Sequence, residues 1–99
     1  MVIKCKINGN IYILEVLVSK NEKLEGLKRY PSLDSNRGVI FVYERDSTSG
    51  YDFSEIGYGC KIFFLDSDFK LIYKEETTMF QERIVRCPSP FRYVIEVSN

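Results

Sequence analysis

Short runs of β-branched and aromatic residues, separated by turn residues, make up most of the chain and constrain its fold more than any other feature. The first two runs, VIKCKI and NIYILEVLV, are joined by Asn8 and Gly9. Asn-Gly favours a two-residue hairpin because both turn residues adopt positive φ. Further strand-like runs lie at 38–44, 51–56, 60–65, 69–75, 83–85 and 91–97. The pattern predicts six to eight short strands.

Only one segment of the chain is predicted to be helical. In SKNEKLEGLKRY, Ser19 precedes Glu22 by three residues, which is the spacing of a capping box. We therefore predict a helix over 20–29 that ends before the next proline, with Gly26 weakening its interior by about 1 kcal/mol. These elements predict a single domain over 1–99 that is mainly β (α+β), a small antiparallel β barrel or sandwich with one short helix.

The missing residue types exclude several kinds of chemistry. The 99 residues include no His and no Trp, so the commonest general base and the commonest zinc ligand are absent. Cys5, Cys60 and Cys87 are an odd number at irregular spacing, which argues against a disulfide framework or metal site and favours a reducing compartment such as the cytoplasm. We expect no enzymatic activity, no metal and no cofactor. Alanine is also absent beside abundant Ile, Lys, Phe and Tyr, a composition that indicates AT-rich coding in a low-GC bacterium or a virus.

The charge balance narrows the class of partner. Fourteen basic and fourteen acidic residues cancel, whereas a nucleic-acid-binding domain usually carries a strong basic excess. The net charge of zero therefore argues against a nucleic-acid-binding protein. No apolar run approaches the ~18 residues of a membrane-spanning helix, and the first residues, MVIKCKING, lack an apolar signal core. We expect no membrane segment and no export by a signal peptide.

Three blocks of the sequence follow the pattern of a known family. The run GLKRYPSLDSNRGVIFVY over 26–43 resembles the opening motif G-L-M-F-R-x-x-L-x-x-x-x-G-M-L-F-V-F of the domain of unknown function 192 family. The block YDFSEIGYGCKIFF lies over F-W-M-K-N-T-x-I-P-L-D-I-I-F, and SPFRYVIEV resembles a closing strand that ends in V-L-E-V. The matching residues are Gly26, Leu27, Leu33, Gly38, Phe41, Val42, Ile62, Phe64, Pro90, Tyr93, Val94, Glu96 and Val97.

The resemblance implies a compact β-rich fold with one or two short helices over 11–97, and it supplies no established activity. The chain departs from the family pattern at its most polar block. The W-M-K-N group falls on 52–55, where this chain reads DFSE, and the following proline and aspartate fall on Gly59 and Lys61. The hypothesis that follows is a scaffold that keeps the family frame and serves a different contact.

The aromatic residues of the 51–61 block are candidates for a contact surface. Tyr51, Phe53 and Tyr58 lie beside glycines and charged residues, where a partner could reach them, and aromatic side chains are enriched at interfaces. The alternative is that they belong to the core, which a small domain needs large aromatic side chains to fill.

The charged residues of the same block are candidates for ligand binding. Asp52, Glu55 and Lys61 could line a pocket for a small molecule or carbohydrate. Asp52 and Glu55 are three residues apart, so on a regular strand they would face opposite sides. The alternative is that all three are solvated charges on the flank of a strand.

Two further groups of residues have a structural and a functional interpretation. Asp66 and Asp68 could begin a calcium loop, but the remaining ligands of such a loop are missing and a hairpin turn fits better. Arg83, Arg86 and Arg92 could form a basic patch with the neighbouring aromatics, or they could be charges that protect the edge of a strand.

The leading hypothesis from the sequence is a small non-enzymatic protein–protein interaction or assembly module. Its partner would be another protein or copies of itself, and a viral (phage) structural or accessory protein in the cytoplasm or a virion is one subtype. The alternative is a small-molecule or carbohydrate-binding domain that uses the 51–61 block, with or without weak hydrolase activity.

Overall fold

A computed structural model describes residues 1–99. Helix α1 (Lys20–Glu25) continues into one 3₁₀ turn (Gly26–Arg29). The strands are β1 (Val2–Ile7), β2 (Asn10–Leu17), β3 (Arg37–Ser47), β4 (Tyr51–Phe53), β5 (Cys60–Leu65), β6 (Leu71–Thr77), β7 (Gln81–Val85) and β8 (Phe91–Ser98). No helix of the chain is both long enough and apolar enough to span a membrane.

Six of the strands form one sheet in the order β1-β2-β3-β8-β5-β6, and β4 pairs with β7 as a separate ribbon. Neighbouring strands are antiparallel except β2 and β3, which are parallel. The parallel pair follows from the helical segment between these strands, because parallel neighbours need a crossover connection. The predicted mainly β fold with eight strands and one short helix is confirmed. The large sheet is open, with β1 and β6 at its edges, so the fold is sandwich-like and not a barrel.

The sheet buries apolar side chains on both faces. The helix-side core contains thirteen buried residues, including Val39, Phe41, Ile62 and Phe64, and it lies beneath α1 and the β4–β7 ribbon. The far-side core contains eight, and there Tyr12 of β2 contacts Phe63 of β5 with 5.6 Å between ring centroids. Strands with apolar residues on both faces belong away from the edges of such a sheet, which is where β2 lies.

Local sequence signals explain several element ends. Asn8 and Gly9 have φ values of 50° and 86°, which confirms the predicted hairpin turn. The capping box is present, since Ser19 Oγ accepts from the Glu22 amide at 3.2 Å and the Glu22 carboxylate accepts from the Ser19 amide at 3.0 Å. The predicted effect of Gly26 is wrong. It does not weaken a continuous helix; it ends α1, with φ 48° and ψ −129°, a conformation available mainly to glycine.

Two strands differ from expectation. Strand β4 covers only Tyr51–Phe53, because the Asp52 carboxylate accepts from the Ser54 amide at 2.8 Å and turns the chain away. The alternative that the arginines protect a strand edge fails for Arg92, because this residue lies in β8, which is not an edge strand. Strand β8 pairs with β3 on one side and β5 on the other. At Gly38 of β3, a Cβ would collide with the Glu96 carbonyl oxygen of β8.

Candidate ligand-binding site

A cavity of about 660 Å³ lies between the helical segment and the helix-side face of the sheet. We call it the helix-side cavity. Its lining comes from α1, the 3₁₀ turn, β3, the loop before β4, β4 itself and β8. The volume falls within the range of roughly 300–1,000 Å³ that is typical of sites for small molecules. The fold thus brings residues from distant parts of the chain to one concave space that is open to solvent at its mouth.

Glu96 provides the unusual chemistry of this cavity. It lies in β8 between Val39 of β3 and Ile62 of β5, so it occupies the middle of the sheet, and it is only 4% exposed. No hydrogen bond or opposite charge compensates its carboxyl, and burial alone raises the pKa of Glu96 to about 8. No fully enclosed side-chain polar atom in the chain lacks a partner, so the unpaired oxygen atoms of Glu96 face the open space of the cavity.

Gly26 makes room for the Glu96 carboxyl. A Cβ at this position would lie 3.2 Å from Phe41 Cζ and 3.9 Å from Glu96 Oε1. The helical segment therefore passes close above the carboxyl because residue 26 has no side chain. The positive φ of Gly26 favours glycine here, and a Cβ would also crowd the Phe41 ring.

Two tyrosine hydroxyls lie in the wall of the cavity and hydrogen-bond to each other. Tyr43 of β3 and Tyr51 of β4 form this pair. Burial raises the pKa of both hydroxyls, so both are neutral hydrogen-bonding groups at physiological pH. Phe41 contacts Tyr51 edge-on at 5.3 Å, and Phe53 completes an aromatic lining.

The mouth of the cavity carries both signs of charge. Lys23 Nζ lies 4.1 Å from the centre of the Tyr43 ring, and partial burial lowers the pKa of this lysine. Lys28 pairs with Glu55 at 2.9 Å, which raises the pKa of the lysine. Asp52 is exposed, and the hydrogen bond from the Ser54 amide lowers the pKa of its carboxyl. The mouth is ionic and the floor is a neutral acid among aromatic rings.

Comparison with protein families matches residues 3–99 to the family described as Uncharacterized ACR, the domain of unknown function 192 family. The chain belongs to this family. No curated protein matches the chain.

Solved structures of other proteins have the same fold. A protein of unknown function from Novosphingobium aromaticivorans superposes with a TM-score of 0.82 at 15% identity, over 99% of this chain and 72% of that one. A protein from Sinorhizobium meliloti, described as a "putative transcription regulator", superposes with a TM-score of 0.80 at 19% identity, over 98% of this chain and 78% of that one. At such low identity these similarities show the fold alone.

The family pattern and the cavity coincide in this chain. Gly26, Leu27, Phe41 and Glu96 match the family motifs, and all four line the helix-side cavity. Positions 52–55, which depart from the pattern, contribute Asp52 and Phe53 to the same lining. Residues that match the family therefore form much of the floor and inner wall. Of the two residues that differ, the buried Phe53 adds to that wall and the exposed Asp52 lies at the mouth.

The predicted aromatic contact surface does not form. Tyr51 and Phe53 are 7% and 1% exposed and belong to the helix-side core. Tyr58 is half-buried, and its hydroxyl donates a hydrogen bond to the Tyr30 carbonyl oxygen at 3.1 Å. The expectation of an exposed patch of these three residues is wrong because the core of so small a domain needs their area. Replacing Tyr51 would disturb packing first.

The three charged residues of the same block do not converge. Asp52 lines the helix-side cavity, and Glu55 points outward to Lys28. Lys61 lies by a second cavity of about 450 Å³ on the opposite face of the sheet, which also borders Glu75 and Glu76. A single pocket lined by Asp52, Glu55 and Lys61 is therefore excluded, and only Asp52 stays near the candidate site.

The remaining sequence candidates have structural roles. The Asp66 carboxylate accepts from the amides of Asp68 and Lys70 at 2.9 Å each, which forms the expected hairpin turn. Arg83 pairs with Glu75 at 2.5 Å and Arg92 pairs with Asp46 at 3.0 Å, so the arginines do not form one basic patch. The sulfur of Cys60 is buried, and burial raises the pKa of its thiol to about 12.

Sequence reasoning counted Glu96 only as a charge and as a family match. A signal was present in the sequence, because an acid in the apolar run YVIEV shares a strand face with Val94 and so points toward the core. Lys23 and Tyr43 carried no comparable signal, since nothing local indicated that α1 folds over β3. Only the crossover connection brings them together.

Proposed function

We propose that this protein is a non-enzymatic small-molecule-binding domain whose ligand occupies the helix-side cavity. One observation carries the proposal, namely the Glu96 carboxyl, which is 4% exposed and has no partner in the chain. Its oxygen atoms face the open space of the cavity, and burying an acid without a partner charge is costly. Acids perturbed in this way cluster at functional sites, and a ligand that hydrogen-bonds the carboxyl would account for its position.

The shape and composition of the cavity support the same function. It combines aromatic walls with a few polar groups, the Glu96 carboxyl and the hydroxyls of Tyr43 and Tyr51, as small-molecule sites usually do. The carbohydrate ligands expected from the sequence belong to this proposal as one class. The cytoplasmic or virion location also stays a prediction.

Fragment screening by amide-detected NMR tests the proposal. Bound fragments should shift the amide signals of Gly26, Leu27 and Phe53, which line the cavity. Ser49→Trp should abolish those shifts by filling the cavity, because Ser49 lines it. Thr48→Trp should leave the shifts in place, because Thr48 does not line the cavity. Fragments that shift only residues around Lys61, or a diverse library without any hit in the cavity, would contradict the proposal.

The interaction module predicted from the sequence is a second candidate, supported by a different surface. Met79 and Phe80 are 62% and 59% exposed in the turn between β6 and β7. Phe80 has a φ of 51°, which is a costly conformation for a bulky residue, and its ring lies against Gly57. The turn thereby keeps a large apolar side chain in solvent.

Self-association tests this second candidate. Sedimentation equilibrium should show concentration-dependent assembly, and Phe80→Ser should weaken it without changing the far-UV spectrum. Leu24→Ser is the matched control, because Leu24 is 66% exposed and lies on α1, outside that turn. A monomer at every concentration, or equal effects of both substitutions, would remove the support for assembly through this turn.

A further inference from the structure

The charge of the helix-side cavity points to the class of its ligand. Three lysines and four carboxyl groups line it, so the lining carries one excess negative charge when Glu96 is ionised. Lys20, Lys23, Lys28, Glu25, Glu44 and Asp52 all lie around the mouth. Glu96 alone is buried and uncompensated. A ligand with one positive charge would make the occupied cavity neutral.

The aromatic walls favour the same charge. Phe41, Tyr43, Tyr51 and Phe53 line the space above Glu96, and the faces of such rings attract cations within about 6 Å. The protein already uses one of these faces in this way, since Lys23 Nζ lies 4.1 Å from the centre of the Tyr43 ring. The wall of the cavity is therefore able to hold an ammonium group.

We propose that the helix-side cavity binds a small organic amine with a single positive charge, whose ammonium group donates to the Glu96 carboxylate between the aromatic walls. This inference rests on the proposed small-molecule function and specifies its ligand. An ammonium group provides both the missing hydrogen bonds and the missing counter-charge of Glu96. A neutral alcohol or sugar provides only the hydrogen bonds.

Proton exchange distinguishes an amine from a neutral ligand. The titratable groups close enough to Glu96 for its charge to raise their pKa are Tyr43 of β3, Tyr51 of β4, Tyr58 before β5 and Cys60 of β5. All four are neutral at pH 7, and the empty site holds its proton because burial raises the pKa of Glu96 to about 8. When a protonated amine binds, Glu96 passes this proton to the solvent and becomes the carboxylate that the amine requires.

Two matched pairs of probes test the inference, cyclohexylamine with cyclohexanol and 2-phenylethylamine with 2-phenylethanol. Primary amines of this kind stay protonated near neutral pH, as lysine does. At pH 7 the amines should bind at least tenfold more tightly than the alcohols. Calorimetry in phosphate and in Tris should detect release of close to one proton per amine bound. The affinity should rise up to about tenfold per pH unit below pH 8 and level off above it.

Glu96→Gln should weaken amine binding at least tenfold and abolish proton release, while alcohol binding stays within about threefold. Glu82→Gln is the matched control, because Glu82 is exposed and lies outside the cavity. If the alcohols bind as tightly as the amines or more tightly, and no proton is released, the proposal of an amine ligand is wrong, while the small-molecule function stands. If neither amines nor alcohols shift the amide signals of the cavity residues, and no compound of the wider fragment library shifts them either, both proposals fail.

Discussion

Replacing Glu96 with glutamine should remove a steep pH dependence of folding stability. In the unfolded chain this carboxyl ionises near its ordinary pKa of 4.5, and in the folded protein burial raises the pKa to about 8. Between these values the folded state holds one proton more than the unfolded state, so stability falls as pH rises. The slope is about 1.4 kcal/mol per pH unit, since each unit of pKa difference corresponds to that energy.

The expected effect is large on the scale of this domain. From pH 5 to pH 8 the wild-type protein should lose roughly 3 to 4 kcal/mol relative to Glu96→Gln. A chain of 99 residues has a total stability of roughly 5–15 kcal/mol. Near pH 5 the two proteins should differ by only about 1 kcal/mol, because glutamine has the size of the protonated acid and both are uncharged.

Urea unfolding measured at half-unit intervals from pH 5 to pH 9 tests this prediction. The chain has no tryptophan, so far-UV circular dichroism is the natural signal. Glu82→Gln serves as the control and should follow the wild-type curve. Parallel curves for wild type and Glu96→Gln would show that Glu96 ionises freely in the folded protein, and that result would refute the account of a buried, uncompensated carboxyl.

Three other substitutions test the local structure of the fold, each by urea unfolding. Gly26→Ala should cost about 1–3 kcal/mol, because alanine disfavours the backbone conformation of this residue; an unchanged stability would contradict that conformation. Ser19→Ala should cost about 1 kcal/mol through loss of the capping bond, whereas the exposed Ser67→Ala should cost almost nothing. Gly38→Val should prevent folding, since a side chain there meets the backbone of β8; a folded variant would refute the close approach of the two strands.

The sequence was sufficient to predict most elements, because their signals are local. Alternation of apolar residues, the Asn8-Gly9 turn and the capping box depend on neighbouring residues alone, and all three predictions match the structure. The order of strands in the sheet is not local. Arg92 does not protect a strand edge, because β8 pairs with both β3 and β5, and that pairing is decided by packing across the chain.

The candidate site was predicted less well for the same reason. Tyr51 and Phe53 were singled out because they lie beside charged residues and glycine in the sequence. Their burial, however, depends on which elements fold over them, and both side chains are part of the helix-side core. Glu96 was not singled out, although its position in an apolar strand was visible. An acid inside a strand becomes meaningful only when the cavity above it is known.

Glu96 and Gly26 together provide the strongest physical argument for a function in this cavity. An apolar residue at position 96 would avoid the cost of burying a carboxyl that no group of the chain compensates. Gly26 ends α1 in a conformation available mainly to glycine, and a Cβ there would lie 3.9 Å from Glu96 Oε1. Sequences usually satisfy the rules of folding everywhere except at functional sites. Glu96 departs from those rules, and Gly26 leaves open the space beside its carboxyl. The pair therefore favours a bound ligand over chance, and the pH dependence of Glu96 measures the cost of that departure.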